Sequence, residues 1–228
     1  IVMLDFTREL SQLTADQFYN GLLVERLKAK EIVIGYDHAF GKNREGNIDF
    51  LLKLSQQTGV EITQIGEESC GDEIISSTLL RNEIDNGKMD KVETLLGRRY
   101  TLSGKVVNGA GRGGKKLGFP TANILPDNPD KIIPAGGVYA VRVLLPSGET
   151  RRGMLNIGFN PTFNGNEVSE KFIEVNIFDF SGDIYGEVLT LEFYDRIRDE
   201  IKFPSVEELV AQLKNDETVI RKILDEKG

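Results

Sequence analysis

Tryptophan is absent from this 228-residue chain, and cysteine and histidine occur once each, as Cys70 and His38. A single cysteine excludes an internal disulfide and fits a reducing cytoplasm. A cysteine nucleophile would have to borrow the only histidine as its base, so Cys70 reads as an inert thiol. No apolar run approaches the roughly 20 residues of a membrane span, and no signal peptide opens the sequence, so no membrane partner is expected. Positive charge is the scarcer sign: 28 Lys and Arg against 36 Asp and Glu leave a formal net charge of −8. That balance argues against nucleic acid as a partner. Local basic clusters in such a chain instead suit a small anionic ligand. The first residue is Ile1, inside what reads as a strand, which points to a missing N-terminal segment.

Standard phosphate motifs are missing too. There is no GxxxxGK[ST], and the one glycine-rich run does not join a strand to a dinucleotide-binding helix. That run is NGAGRGGKKLGFPTAN, residues 108–123. Gly109, Gly111, Gly113 and Gly114 leave a backbone that can approach a ligand where a Cβ would clash. Arg112, Lys115 and Lys116 bring positive charge into the same loop. Pro120 stiffens the exit after Gly118 and Phe119, and Thr121 and Asn123 lie two residues apart, on one face of an extended segment. Amide donors, cations and two hard oxygens suit a phosphate chain with its magnesium ion. A glycine-rich hairpin with solvated lysines is the plainer alternative; the ordered GFPTAN exit favours a nucleotide.

Residues 1–97 read as α/β. Thr14 and Gln17 fit a capping box ahead of a helix carrying Phe18, Leu22, Leu23 and Leu27. Ile32, Val33 and Ile34 form a short apolar run suited to a buried parallel strand. Leu51, Leu52 and Leu54 mark a second helix ending near Gly59, and residues 60–65 a further strand. Ser76 or Ser77 could cap a helix that stops at Gly87, and a shorter one with Val92, Leu95 and Leu96 ends at Gly97. The domain boundary falls there. From Tyr100 the period becomes two: Tyr139, Val141 and Val143 alternate with Ala140, Arg142 and Leu144, and Leu189, Leu191 and Phe193 with Thr190, Glu192 and Tyr194. Residues 98–228 thus read as an antiparallel barrel or sandwich. A helix opened by the capping box Ser205–Glu208 closes it, with Val206, Leu209, Val210 and Leu213 as its stripe.

In FIEVNIF, residues 172–178, Ile173, Val175 and Ile177 take one face, and Glu174 and Asn176 the other. A carboxylate on such a strand is either a catalytic group or an outward-facing residue of an edge strand. Arg196 and Arg198, in DRIRDE, either serve a site or pair on the surface with Asp199 or Glu200.

GRGGKKLGFPTAN (111–123), GGVYAV (136–141), NIGFNPTF (156–163) and FIEVNIFDF (172–180) together resemble the riboflavin kinase family, from about residue 95 onward. GYDHAFGKNREG (35–46) and ISSTLLR (75–81) resemble the second half of the FMN adenylyltransferase domain fused to that kinase in bacterial FAD synthetases. The resemblance implies a six-stranded Greek-key barrel with a C-terminal helix, preceded by a partial, Rossmann-like nucleotidyltransferase domain. It implies ATP-dependent phosphorylation of riboflavin to FMN. ATP phosphates would lie on Gly109, Gly111, Arg112, Gly113, Lys116, Gly118, Phe119, Pro120, Thr121 and Asn123, with magnesium on Thr121 and Asn123. Glu174 matches the catalytic base and Arg198 the arginine of the flap over the flavin, where Phe159 and Tyr139 could also contribute or be core. In the adenylyltransferase part, Ser76, Ser77, Thr78 and Arg81 match one wall of the ATP site, at a helix N-terminus suited to anions. Asp37 and its loop match the flavin side. The HxGH motif of that superfamily is missing, since His38 is the only histidine. FMN adenylylation is therefore expected in an intact parent enzyme and not in this chain. Two rival readings are a non-catalytic flavin- or nucleotide-binding module, and adenylyl transfer as the parent's main activity.

Overall fold

Thr14 and Gln17 bond as a reciprocal cap: the Thr14 hydroxyl accepts from Gln17 N–H at 3.1 Å, and the Gln17 side-chain oxygen accepts from Thr14 N–H at 3.0 Å. This computed structural model describes residues 1–109, 118–159 and 171–227. The chain divides into two units, Ile1–Ile74 and Ile75–Gly228.

In the first unit a short helix, α1 (Arg8–Ser11), precedes the cap. The segment before it is not the expected strand: Ile1, Val2, Met3 and Phe6 are exposed and have no ladder partner. The capped segment departs from expectation as well. Gln17–Arg26 winds as a π-helix, with Leu27 N–H bonding back to Leu22 C=O. A wider turn rotates the side chains out of a 3.6-residue stripe. Tyr19 is fully buried and Phe18, Leu22 and Leu23 are half-buried, whereas Leu27, just past the helix, is 43% exposed. Strands β1 (Glu31–Gly35) and β2 (Glu61–Ile65) pair in parallel. Between them runs α2 (Ile48–Thr58), capped by the Asn47 side chain and closed by Gly59 at φ 74°. Val33 is 54% exposed, so the apolar run of β1 is covered on one face only. A small hairpin, β3 (Ser69–Cys70) and β4 (Glu73–Ile74), ends the unit.

The second unit starts with α3 (Ser77–Asp85), where the Ser76 hydroxyl accepts from Leu79 N–H at 3.1 Å. Helix α4 (Met89–Leu96) ends at Gly97, in the left-handed conformation that glycine tolerates. Six strands follow: β5 (Thr101–Val107), β6 (Ala122–Pro126), β7 (Gly137–Leu144), β8 (Thr150–Phe159), β9 (Lys171–Ile177) and β10 (Val188–Arg198). They close in the order β10-β5-β6-β9-β8-β7, all antiparallel. Consecutive strands β6 and β7 are not neighbours, which is the Greek-key crossing. Tyr139, Val141, Val143, Leu189, Leu191 and Phe193 fill the interior, as the alternation requires. Ile84, Met89 and Val92 join that core, so α3 and α4 pack with the barrel. On the outer face Ala140, Met154, Phe178 and Tyr194 lie beneath α5 (Val206–Glu226). Its stripe includes the expected Val210 and Leu213, which pack against that layer, and runs on to Ile220 and Leu224, which are buried, while Val206 is 55% exposed. Each large apolar side chain buried this way contributes roughly 1.5–3 kcal/mol. Among the described residues no helix is long and apolar enough to cross a membrane.

Candidate active site

Phe119 and Pro120 fix the exit of the glycine-rich loop. The Phe119 ring lies in the apolar layer under α5, 9% exposed, so its side chain is an anchor. The Pro120 carbonyl accepts a bond from the Asn176 carboxamide at 2.7 Å. These two ties set where β6 begins, and with it the position of Thr121 and Asn123.

The ladder then aligns a polar row across three strands. Asn123 of β6 is in register with Glu174 of β9, and Glu174 with Asn156 of β8. Register partners of antiparallel strands share a face at about 5 Å. Ile173 and Val175, flanking Glu174, point into the core. Glu174 faces outward, half-buried between two carboxamides. It does not stand on an edge, because β9 lies between β6 and β8 in a closed barrel.

Each end of this row has a wall. At Asn123, a Cβ built on Gly109 would lie 2.0 Å from the carboxamide nitrogen, so a larger residue at 109 has to displace that side chain. Exposed Thr121 borders a cavity of about 390 Å³, together with Ala122, Val175, Phe180, Ile184 and Tyr185. The loop 180–187 that walls it is pinned to β5: Gly186 N–H donates to Val106 C=O at 2.9 Å, and Val106 N–H to Glu187 C=O at 2.8 Å. At the other end, the Asn156 carboxamide donates to Glu200 Oε1 at 3.5 Å. A Cβ on Gly158 would lie 2.3 Å from that same oxygen and from the Phe172 ring.

Of the remaining expected residues, Gly111, Arg112, Gly113 and Lys116 lie outside the described residues, as do positions 160–163 of the NIGFNPTF motif. Gly118 has φ 82°, a value that favours glycine. The Arg198 guanidinium is bound to Asp216 of α5, at 2.9 Å from Nε and 2.7 Å from Nη2. The surface pairing with Asp199 belongs to Arg196, which also donates to the Gly136 carbonyl. Tyr139 is fully buried core and Phe159 is 45% exposed. Asp37 and His38 are exposed on the turn after β1, where His38 N–H bonds to Gly35 C=O at 3.2 Å. Ser76 is the cap of α3, and Ser77, Thr78 and Arg81 are exposed in its first turns. Asp37 is thus in the first unit and the Ser76–Arg81 group in the second.

Several groups around the site are electrostatically set. Asp179 turns the chain after β9 at φ 55° and binds Arg221 of α5 at 2.8 and 3.0 Å. Those bonds hold its carboxyl below the usual carboxylate range. Burial pushes the Tyr139 and Tyr100 phenols up to about 12. Each donates to a backbone carbonyl at 2.6 Å, Tyr139 to Ala135 and Tyr100 to Ile132.

No group of three or more His, Cys, Asp or Glu residues among those described could hold a metal ion. Thr121 offers its hydroxyl at the cavity, and the Asn123 carbonyl and the Glu174 carboxylate are hard oxygens on the neighbouring polar row. Such a sparse set suits a magnesium ion that keeps waters and shares phosphate oxygens. Sequence reasoning missed Asn156, Glu200, Asp216 and the 180–185 wall. The wall had a signal, in the aromatics and glycine of DFSGDIYG, residues 179–186. The other three depend on register and helix docking, which sequence spacing does not carry.

The family model described as "Riboflavin kinase" matches residues 96–224, and the one described as "FAD synthetase" matches residues 1–79. A bifunctional riboflavin kinase/FMN adenylyltransferase of Haemophilus influenzae is 39% identical over 95% of this chain and 68% of its own length. The Listeria monocytogenes protein of the same description is 40% identical over 93% of this chain and 65% of its own. The chain thus spans about two thirds of the length of these relatives. A Streptococcus pneumoniae crystal structure described as a macrolide-efflux protein superposes with a TM-score of 0.84. It is 38% identical, over 96% of this chain and 68% of that one.

Proposed function

The chain belongs to the bifunctional riboflavin kinase/FMN adenylyltransferase family, and from that premise we propose how its barrel works and what its adenylyltransferase portion has left. The barrel phosphorylates riboflavin with ATP, giving FMN and ADP. We place the catalytic centre on the row Asn123–Glu174–Asn156, and the observation that carries this is the register pairing of Glu174 with both carboxamides.

The cavity bordered by Phe180, Ile184 and Tyr185 takes the flat base of ATP, and the glycine-rich loop closes over its phosphates. A magnesium ion, held by Thr121 and Asn123, neutralises charge on the phosphate chain when bound. The residues fit it: Asn123 is the register partner of Glu174 with Thr121 two residues before it, and Gly109 leaves no Cβ against Asn123. The riboflavin 5′-hydroxyl lies against Glu174. As its oxygen bonds to the γ-phosphorus, the bond to the ADP oxygen breaks and the hydroxyl proton passes to the Glu174 carboxylate. Glu174 is suited to this because it is half-buried yet faces outward from a packed strand. Arg198, on the last residue of β10, contacts the flavin.

We draw the boundary between the adenylyltransferase portion, 1–97, and the kinase portion, 98–228, at the left-handed Gly97 cap, although α3 and α4 pack with the barrel. Asp37, Ser76, Ser77, Thr78 and Arg81 are the remnant of the adenylyl-transfer site. With His38 its only histidine, this polypeptide stops at FMN. A single free thiol and a net charge of −8 suit a cytoplasmic enzyme of small molecules and not of nucleic acid.

Glu174→Gln tests the assignment. It keeps the shape and removes the proton acceptor, so turnover should fall roughly 10²–10⁴-fold with ATP binding unchanged. Turnover within a few-fold of the unaltered protein would remove Glu174 from the chemistry.

A further inference from the structure

Asp216 is the most deeply buried acidic residue among those described, 1% exposed, and it interrupts the apolar stripe of α5 between Leu213 and Ile220. An acidic group is rarely kept there unless it is paired, and an isoleucine or leucine would pack the same layer without that requirement. Both of its oxygens are occupied. Oδ2 accepts from Arg198 Nε and Nη2, and Oδ1 accepts from the Gln212 carboxamide at 2.7 Å, one helical turn earlier.

The strand that delivers Arg198 is irregular at this point. The β7–β10 register shifts between Arg196 and Arg198, so Arg198, and not Ile197, stands opposite Val138. Val138 belongs to the layer beneath α5. The bulge therefore turns Arg198 toward the helix, as bulges near functional sites re-aim side chains. A third N–H, on Nη1, donates to the Asp199 carbonyl at 2.9 Å. The bonds described use three of the five guanidinium N–H groups, and they fix the plane of the fork while leaving two donors for a ligand.

We propose that Asp216 is a positioning residue for the flavin. It locks the Arg198 guanidinium so that its two remaining donors meet the riboflavin, which makes α5 part of the substrate site and not only a cover for the barrel. This rests on Arg198 contacting the flavin, and the test separates the two statements.

Riboflavin KM, ATP KM and riboflavin binding followed by flavin fluorescence are measured on the full chain for Asp216→Asn, Arg198→Ala and the double variant, with thermal midpoints alongside. Asp216→Asn should raise riboflavin KM and the riboflavin dissociation constant about 10-fold, with ATP KM within about twofold. The double variant should be no worse than Arg198→Ala within about twofold, because coupled residues do not add. If Arg198→Ala weakens riboflavin and Asp216→Asn does not, the positioning role is overturned and the Arg198 contact stands. If neither variant changes riboflavin, the Arg198 contact fails and the inference with it. A parallel rise in both KM values would mean that the ion pair only holds the helix, and would also overturn it. Should Asp216→Asn not fold, Gln212→Met loosens Asp216 without uncovering a charge and must shift riboflavin KM alone, in the same direction.

Discussion

Gly109→Ala should damage catalysis while leaving the protein folded. The new Cβ would fall 2.0 Å from Asn123 Nδ2 and 2.5 Å from its Cγ, whereas ordinary contact begins near 3.4 Å. Gly109 has no left-handed φ, so alanine can adopt its backbone without strain. It is also exposed, so no core contact is lost. Fold stability should therefore stay level or rise by about 0.4–1 kcal/mol, since alanine has fewer unfolded conformations than glycine. What must move is the Asn123 carboxamide, by about 1 Å. Misplacement on that scale at a reacting centre costs on the order of 10²-fold. The assay is initial-rate kinetics over a magnesium titration, with a thermal melt beside it. The half-saturating magnesium concentration should rise and kcat/KM should fall by roughly 10- to 100-fold, with the melting temperature held. Asn123→Ala should give a similar defect, and the double variant one no larger, because both substitutions act through one carboxamide. An unaltered magnesium titration in Gly109→Ala would refute the claim that this contact positions a working ligand.

Asn123→Ala alone should raise the magnesium requirement with riboflavin KM near that of the unaltered protein, because one hard oxygen is lost from the ion and none from the flavin; a flat response would remove Asn123 as a ligand. At alkaline pH the barrel should lose stability through its buried tyrosines. A phenol raised to about 12 in the fold stays protonated where the unfolded chain ionises, so its contribution is complete below about pH 10 and is lost between 10 and 12. Tyr139 and Tyr100 should each add roughly 1 kcal/mol per pH unit to that decline. Tyr139→Phe should lower neutral stability by about 1 kcal/mol, through the lost bond to Ala135, and flatten the alkaline slope. An unchanged slope in denaturant melts at pH 10–12 would contradict the assignment.

Local chemistry was the legible part of this sequence. The Thr14–Gln17 box, the Ser76 and Ser205 caps and the glycine stops at 59 and 97 all appear, because each is decided by groups within four residues. Strand alternation separated Tyr139 and Leu191 from their neighbours, and the barrel takes that set inside. The same reasoning fell short where geometry changed the period: Phe18, Leu22 and Leu23 are half-buried on the π-helix Gln17–Arg26, and the expected stripe is lost at Leu27. On α5 it found Val210 and Leu213, which pack against the layer beneath, and stopped short of Ile220 and Leu224, because the buried length depends on which strands the helix crosses. Asn123, Thr121 and Glu174 could be picked out one at a time from residue type and resemblance. Asn156 joins them only through pairing between β8 and β9, and Asp216, 18 residues beyond Arg198, only through docking of α5.

Product analysis after incubating the chain with riboflavin, ATP and magnesium tests the account most directly. FMN should accumulate without FAD, and Glu174→Gln should abolish nearly all of it. FAD in the mixture would contradict the reading of a spent adenylyl-transfer site, and the absence of FMN from a folded, riboflavin-binding chain would contradict the kinase assignment itself.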